Sequence, residues 1–170
     1  MRRTLAFLGG ILLAIALSQF PEYAQQYTQR LGGAVDELAI IAAEFDTAAT
    51  DAGLTREAAI ARFSQSGDSF LSGRGESMAR TFARHAELSR LLADIRNADP
   101  LERLMRLPAY ADTEIGLRTL ENFRPAVPVT PEGFLYAGAG FFIGSLLVSA
   151  LLWLLVLPFR RRRVVYRERI

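Results

Sequence analysis

The uncharged run from Gly133 to Pro158, followed at once by Arg160, Arg161, Arg162 and Arg163, constrains this chain more than any other feature. At ~1.5 Å of rise per residue, such a run matches a hydrocarbon core of ~30 Å, and a domain of this size offers nowhere else to bury it. Arginines beside a span stay on the cytoplasmic side during insertion, so the C-terminal tail is expected in the cytoplasm.

A second uncharged run, Thr4 to Phe20, follows Met1, Arg2 and Arg3. It is short for a span and supports two readings. One is a retained transmembrane helix; the other is a signal peptide cut after the small-x-small triplet Ala16-Leu17-Ser18, leaving Gln19 as the first residue. Both carry residues 21–131 across the membrane. The expected organisation is therefore 1–3 as a cytoplasmic N-terminus and 4–20 as a transmembrane helix or signal peptide. Residues 21–131 follow as an extracytoplasmic helical domain, 132–158 as a transmembrane helix and 159–170 as a cytoplasmic basic tail.

The charge distribution agrees with this layout. All 20 basic residues are arginine, a bias of codons rather than of function. Residues 21–131 hold 12 arginines against 16 acids, a net −4, while the two ends carry the positive excess. The basic charge thus sits beside the membrane, which argues against nucleic acid as a partner. Arg160, Arg161, Arg162 and Arg163 are expected to contact anionic lipid headgroups. The chain has no cysteine, so disulfides, thiol catalysis and cysteine-ligated zinc are excluded.

Both apolar runs carry small residues at helical spacing: Ala6, Gly10, Ala14 and Ser18 in the first, Gly140 and Gly144 with Ser145 and Ser149 in the second. Such stripes let helix backbones approach, within one chain or between copies.

The intervening region reads as all-α, a helical bundle or hairpin flanked by the two transmembrane helices. From Tyr23 onward, apolar residues at Tyr27, Leu31, Ala34, Leu38, Ile41, Phe45 and Ala48 alternate spacings of four and three, which predicts a long helix with a coiled-coil-like seam ending at Gly53. Thr55 is placed to cap a short second helix. Ser64 to Gly75, rich in glycine and serine, is expected to be a loop or broken turn before a third helix over 76–97, with Met78, Phe82, His85, Leu88, Leu92 and Ile95 on one side. Asp99-Pro100-Leu101-Glu102 marks another helix start. A further short helix is expected from Asp112, carrying Ile115, Leu117, Leu120 and Phe123. Pro125, Pro128 and Pro131 then form a connector capped by Thr130.

Chemistry is sparse. His85 is the only histidine and lies on an apolar helix side, where packing explains it. Gly75-Glu76-Ser77-Met78-Ala79 approximates a hydrolase nucleophile elbow but lacks the preceding strand and the last glycine. Acids at Asp36, Glu37, Glu44, Asp46, Asp94 and Asp99 match no calcium-loop spacing, and Arg30, Arg90 and Arg96 are placed to pair with such faces. No catalytic or metal-ligating residue and no cofactor is expected.

The stretch Phe20-Pro21-Glu22-Tyr23-Ala24-Gln25-Gln26-Tyr27-Thr28-Gln29-Arg30-Leu31, then Phe63 to Phe70, then Tyr110 onward to Phe123-Arg124-Pro125, resembles an uncharacterised proteobacterial membrane-protein family, the domain of unknown function numbered 2937. The resemblance implies a bacterial inner-membrane protein with a helical extracytoplasmic domain; with the flanking arginines, the expected layout is multi-pass, the central domain periplasmic and both termini cytoplasmic. It makes Tyr23, Gln26, Tyr27, Arg30, Ser66, Gly67 and Asp68 the candidate interaction surface. The helix-packing candidates are Ala6, Gly10, Ala14, Gly140 and Gly144. The expected function is a non-enzymatic interaction or accessory protein, engaging an envelope partner or a second copy of itself. A periplasmic sensor or adaptor and a small membrane-bound enzyme are the alternatives.

Overall fold

The computed structural model describes residues 1–106, 114–127 and 129–157, and every regular element among them is a helix. In chain order these are α1 (Arg2–Ser18), α2 (Phe20–Asp51), α3 (Arg56–Ser64), α4 (Ser69–Asn97), α5 (Pro100–Met105), α6 (Glu114–Glu121) and α7 (Pro131–Val156). They form two units. One joins Met1–Glu22 to the chain from Arg124 onward; the other is Tyr23–Phe123. The expected helix start at Asp112, Pro128 and the arginines Arg160 to Arg163 lie outside the described residues.

In the first unit α1 and α7 pack against each other. Phe7 meets Phe141 with ring centroids 5.5 Å apart, Leu13 lies against Gly140, and Phe20 at the start of α2 meets Tyr136, so the residue numbers run in opposite senses and α1 and α7 are antiparallel. The buried positions are Ala6, Gly10 and Ser18 on α1, and Gly133, Tyr136, Gly140 and Gly144 on α7. A Cβ added to Gly140 would stand 2.5 Å from the Leu13 carbonyl oxygen and 2.9 Å from Ala14 Cα; one on Gly144 would stand 2.6 Å from the Gly9 carbonyl oxygen. The helices therefore touch backbone to backbone, an approach that only glycine permits.

The other faces of this pair are apolar and outward. Leu12, Ile15, Phe142, Leu146 and Leu154 are all more than half exposed. The helical segment Arg2–Asp51 and α7 are each long and apolar enough to cross a membrane, yet only 17% and 11% of their most apolar windows are buried. A core helix of a water-soluble domain would hide most of that surface. At the start of α7, Thr130 accepts from the Gly133 amide at 3.1 Å and Pro131 fills the first turn, where its missing N–H costs nothing.

In the second unit α2 and α4 run antiparallel. Phe45 meets Phe82 edge to face at 5.5 Å, and Gly32 lies beside Arg96. Tyr27 and Leu31 are fully buried, with Ala24, Ala42, Ala49, Met78, Leu88, Leu92, Ile95 and Ile115 completing the core. The expected seam on α2 holds at Tyr27 and Leu31 but then drifts. Ile41 and Ala48 are exposed, whereas Ala42 and Ala49 are buried. The observed stripe advances at the ~3.6-residue period of a straight helix, which slips ~20° per heptad from the 3.5 period of a supercoiled one. α2 ends where expected: Gly53 takes φ +70°, its amide donates to Thr50 O and the Leu54 amide donates to Ala49 O, the paired bonds of a Schellman stop.

The loop expected over Ser64 to Gly75 is present only at 65–68. α4 already begins at Ser69, and its glycines belong to the helix. Gly75 is buried because α3 crosses there; a Cβ would meet Phe63 Cβ at 2.9 Å and the Ile60 carbonyl at 3.3 Å. Asp99 caps α5 as expected, accepting from the Glu102 amide at 2.8 Å. On α6 the expected apolar side is partly reversed: Ile115, Gly116 and Thr119 are buried, while Leu117 and Leu120 are exposed. Thr119 can turn inward because its hydroxyl donates to Ile115 O at 2.7 Å.

Candidate functional site

The family-like positions fall into two groups, one at each end of α2. Tyr23, Gln26, Tyr27 and Arg30 occupy its early turns, while Ser66 lines a cavity shared with Phe45 and Ala48. Tyr27 and Ala48 are 21 positions apart on one helix, hence about 30 Å at ~1.5 Å per residue. These seven residues do not make one patch.

In the first group Tyr23 is half-buried. Its hydroxyl donates to Gly116 O at 3.2 Å, its ring meets Phe123 at 6.0 Å, and Tyr27 lies 6.4 Å away. Tyr23 thereby ties the start of α2 to α6 and to the segment that follows it. Burial, and secondarily the neighbouring Tyr27, raises its phenol above the usual tyrosine range. Tyr27 itself is fully buried and serves the core, which removes it from any interaction surface. Gln26 is partly buried and Arg30 is exposed.

The second group forms the junction of α3 and α4. Gly67 adopts φ +72°, a left-handed conformation that favours glycine. The Asp68 carboxylate accepts from the amides of Phe70 at 2.7 Å and Leu71 at 3.3 Å, capping α4 and placing negative charge at the positive end of its dipole. Ser66 Oγ in turn accepts from the Asp68 amide at 3.3 Å. The geometry of Ser66-Gly67-Asp68 is that of a helix start, and the trio remains solvent-exposed.

Beside this junction lies a cavity of about 410 Å³ that sequence reasoning missed. Its walls are apolar, with Phe45, Ala49, Leu54, Phe63 and Leu71, and Arg62 stands among them. A signal was present: Ala48, Ala49, Ala52 and Ala59 are small residues at positions where larger side chains would fill the space between α2 and α3. Nearby, Arg56 bridges three helices. Its Nε donates to Asp46 Oδ1 at 2.8 Å while its guanidinium stacks 4.1 Å from the centre of the Phe82 ring. That hydrogen bond holds the Asp46 carboxyl below the usual carboxylate range.

Other sequence candidates resolve into structural roles. Ser77 sits inside α4, with Thr81 donating to its carbonyl, so no strand-to-helix elbow forms there. His85 is partly buried on the same helix. Of the acids singled out from sequence, Asp46 pairs with Arg56 rather than with Arg30, Arg90 or Arg96; Glu114, not among them, pairs with Arg84 and Arg118. Among the described residues no three His, Asp or Glu side chains converge in a way that would hold a metal ion.

The model of a family described as a protein of unknown function (DUF2937) matches residues 1–161. No curated protein and no solved structure matches the chain.

Proposed function

The chain belongs to the DUF2937 family of proteins of unknown function, and from that premise we propose that it is a multi-pass protein of the bacterial inner membrane acting as a non-enzymatic accessory or scaffold. α1 and α7 form its membrane hairpin. Both termini are cytoplasmic, and residues 21–131 stand in the periplasm to engage an envelope partner or a second copy.

The hairpin reading is supported by the seam itself. Gly140 and Gly144 lie in backbone contact with α1, so loss of residues 1–18 would leave that side of α7 unpaired. This favours retention of the first helix over cleavage. Antiparallel pairing also puts Arg2 and Arg3 beside Leu152, near the end of α7 from which Arg160 to Arg163 follow in sequence, as the charge rule for cytoplasmic ends requires.

The observation that carries the interaction role is apolar exposure in the helical unit. Phe70, Leu101, Met105, Leu117 and Leu120 are 57% to 74% exposed. Where such side chains adjoin one another, they offer an apolar surface of the kind that another molecule covers.

Because the chain lacks cysteine, single-cysteine labelling is unambiguous. Asn97→Cys should react with a membrane-impermeant maleimide in intact spheroplasts, and Ile170→Cys only after lysis. The reverse pattern would overturn the topology. A photo-crosslinker at Leu117 or Leu120 in native membranes should capture a discrete adduct; its absence at both positions would overturn the scaffold role.

A further inference from the structure

A cavity of about 520 Å³ opens between α1 and α7, lined by Arg2, Arg3, Phe7, Phe141, Ser145 and Ser149 among others. Four features give it a chemical character. No carboxylate is present in its wall. Arg2 and Arg3 form no ion pair among the described residues. α1 starts without a side-chain cap and without an acidic residue in its first turn, so the positive end of its dipole is uncompensated. Lastly, the Ser145 hydroxyl is buried with no hydrogen-bond partner among the described residues, a costly arrangement in apolar surroundings.

Positive charge and free amides at one end, serine hydroxyls further in, and aromatic walls beside them are arranged in the order in which a phospholipid presents its groups. Ser149 and Ser145 precede Leu152 along α7 by one and two turns, which places them deeper than the arginines in a membrane-spanning hairpin. We propose that this cavity is a binding site for one anionic phospholipid of the phosphatidylglycerol class. Arg2, Arg3 and the first amides of α1 hold the phosphodiester, Ser149 and Ser145 donate to glycerol-ester oxygens, and the rings of Phe7 and Phe141 flank the first acyl methylenes. The occupant is a lipid rather than a free anion because more than half of the accessible wall is apolar. This inference rests on the membrane-hairpin reading above.

The test is native mass spectrometry of the full chain released from nanodiscs, titrated with phosphatidylglycerol, phosphatidylcholine or inorganic phosphate. The unmodified protein should retain one phosphatidylglycerol about tenfold or more tightly than phosphatidylcholine, each arginine contributing to the preference. Arg2→Gln with Arg3→Gln should bring the two lipids level. Ser149→Phe, which fills the cavity without changing charge, should lower occupancy by both lipids. Equal retention of the two lipids by the unmodified protein, unchanged selectivity in the double arginine variant, or full displacement by millimolar phosphate would each overturn the proposal. Alkaline carbonate extraction of the same variants separates the two readings: a protein that stays in the membrane but shows no lipid preference refutes the site alone, whereas a protein that is extracted refutes the hairpin.

Discussion

The α1–α7 pair and the helical unit are both built from antiparallel helices, yet they are held together in opposite ways. Between α1 and α7 the closest contact is made by the absence of side chains: Gly140 and Gly144 bring backbone to backbone, and most of the large apolar residues, Leu12, Ile15, Phe142 and Leu146 among them, point outward. In the helical unit the packing is made by side chains: Tyr27, Leu31, Leu88 and Leu92 are buried in its core, and Phe45 of α2 meets Phe82 of α4 edge to face. The membrane setting proposed for α1 and α7 accounts for the difference. In hydrocarbon a leucine gains nothing by turning inward, so close approach supplies the packing; in water the leucine is driven inward at ~25 cal/mol per Å² buried.

The contrast breaks first at the glycines. Gly144→Leu drives a side chain into the Gly9 carbonyl and the Leu13 side chain, and should separate the hairpin at a cost of about 3 kcal/mol or more. Energy transfer between fluorophores near Arg3 and Leu152 would then fall, while protease resistance of the helical unit stays unchanged. The same enlargement at Gly33, which has nothing within 4 Å, should leave both readouts intact.

In the helical unit the sensitive change is deletion rather than addition. Leu31→Ala should destabilise that unit by about 3 kcal/mol, read as lost hydrogen-exchange protection on α2 and α4 in nanodiscs. Protection of α7 should not change.

These two cases show what was legible in the sequence and why. The small-residue stripes were readable because glycine at helical spacing has few other uses in an apolar run. The end of α2 was readable because Gly53 has a conformational reason to be there. The start of α4 was not, since Gly73, Gly75 and the nearby serines look like loop composition, and only the crossing of α3 explains why Gly75 stands in a helix. Tyr27 looked like a surface residue by its resemblance to a family position, but a position can be family-like because it is core. The inward face of α6 depended on Thr119 satisfying its own hydroxyl on Ile115 O, a local bond that hydrophobic patterning does not register.

A smaller effect is expected at the cap of α4. Asp68→Ala should cost about 1 kcal/mol and raise hydrogen exchange in the first turn of that helix, at Phe70 and Leu71. Asp68→Asn should restore most of the loss, because the amide oxygen still accepts.

The smallest effect is at Asp46, and it depends on pH. Its carboxyl is held low in the folded chain, so its stabilising contribution is fully present above the unfolded carboxylate value of ~3.9 and disappears as pH falls through the lower folded value. Asp46→Asn should therefore be slightly less stable than the unmodified chain at neutral pH and equal to it at the acid end. A difference that persists at the lowest pH would place the effect in packing around Arg56 and Phe82 instead.

The central claim is that α1 remains in the mature protein and packs on α7 of the same chain. Replacing Phe7 by a photo-reactive phenylalanine in native membranes tests it directly, because that ring lies 5.5 Å from Phe141. Irradiation should give an intramolecular crosslink mapping to the peptide around Phe141 and Ser145, with no change in apparent mass beyond that of the monomer. A mature chain that begins at Gln19, or a crosslink found only between two copies, would contradict the account.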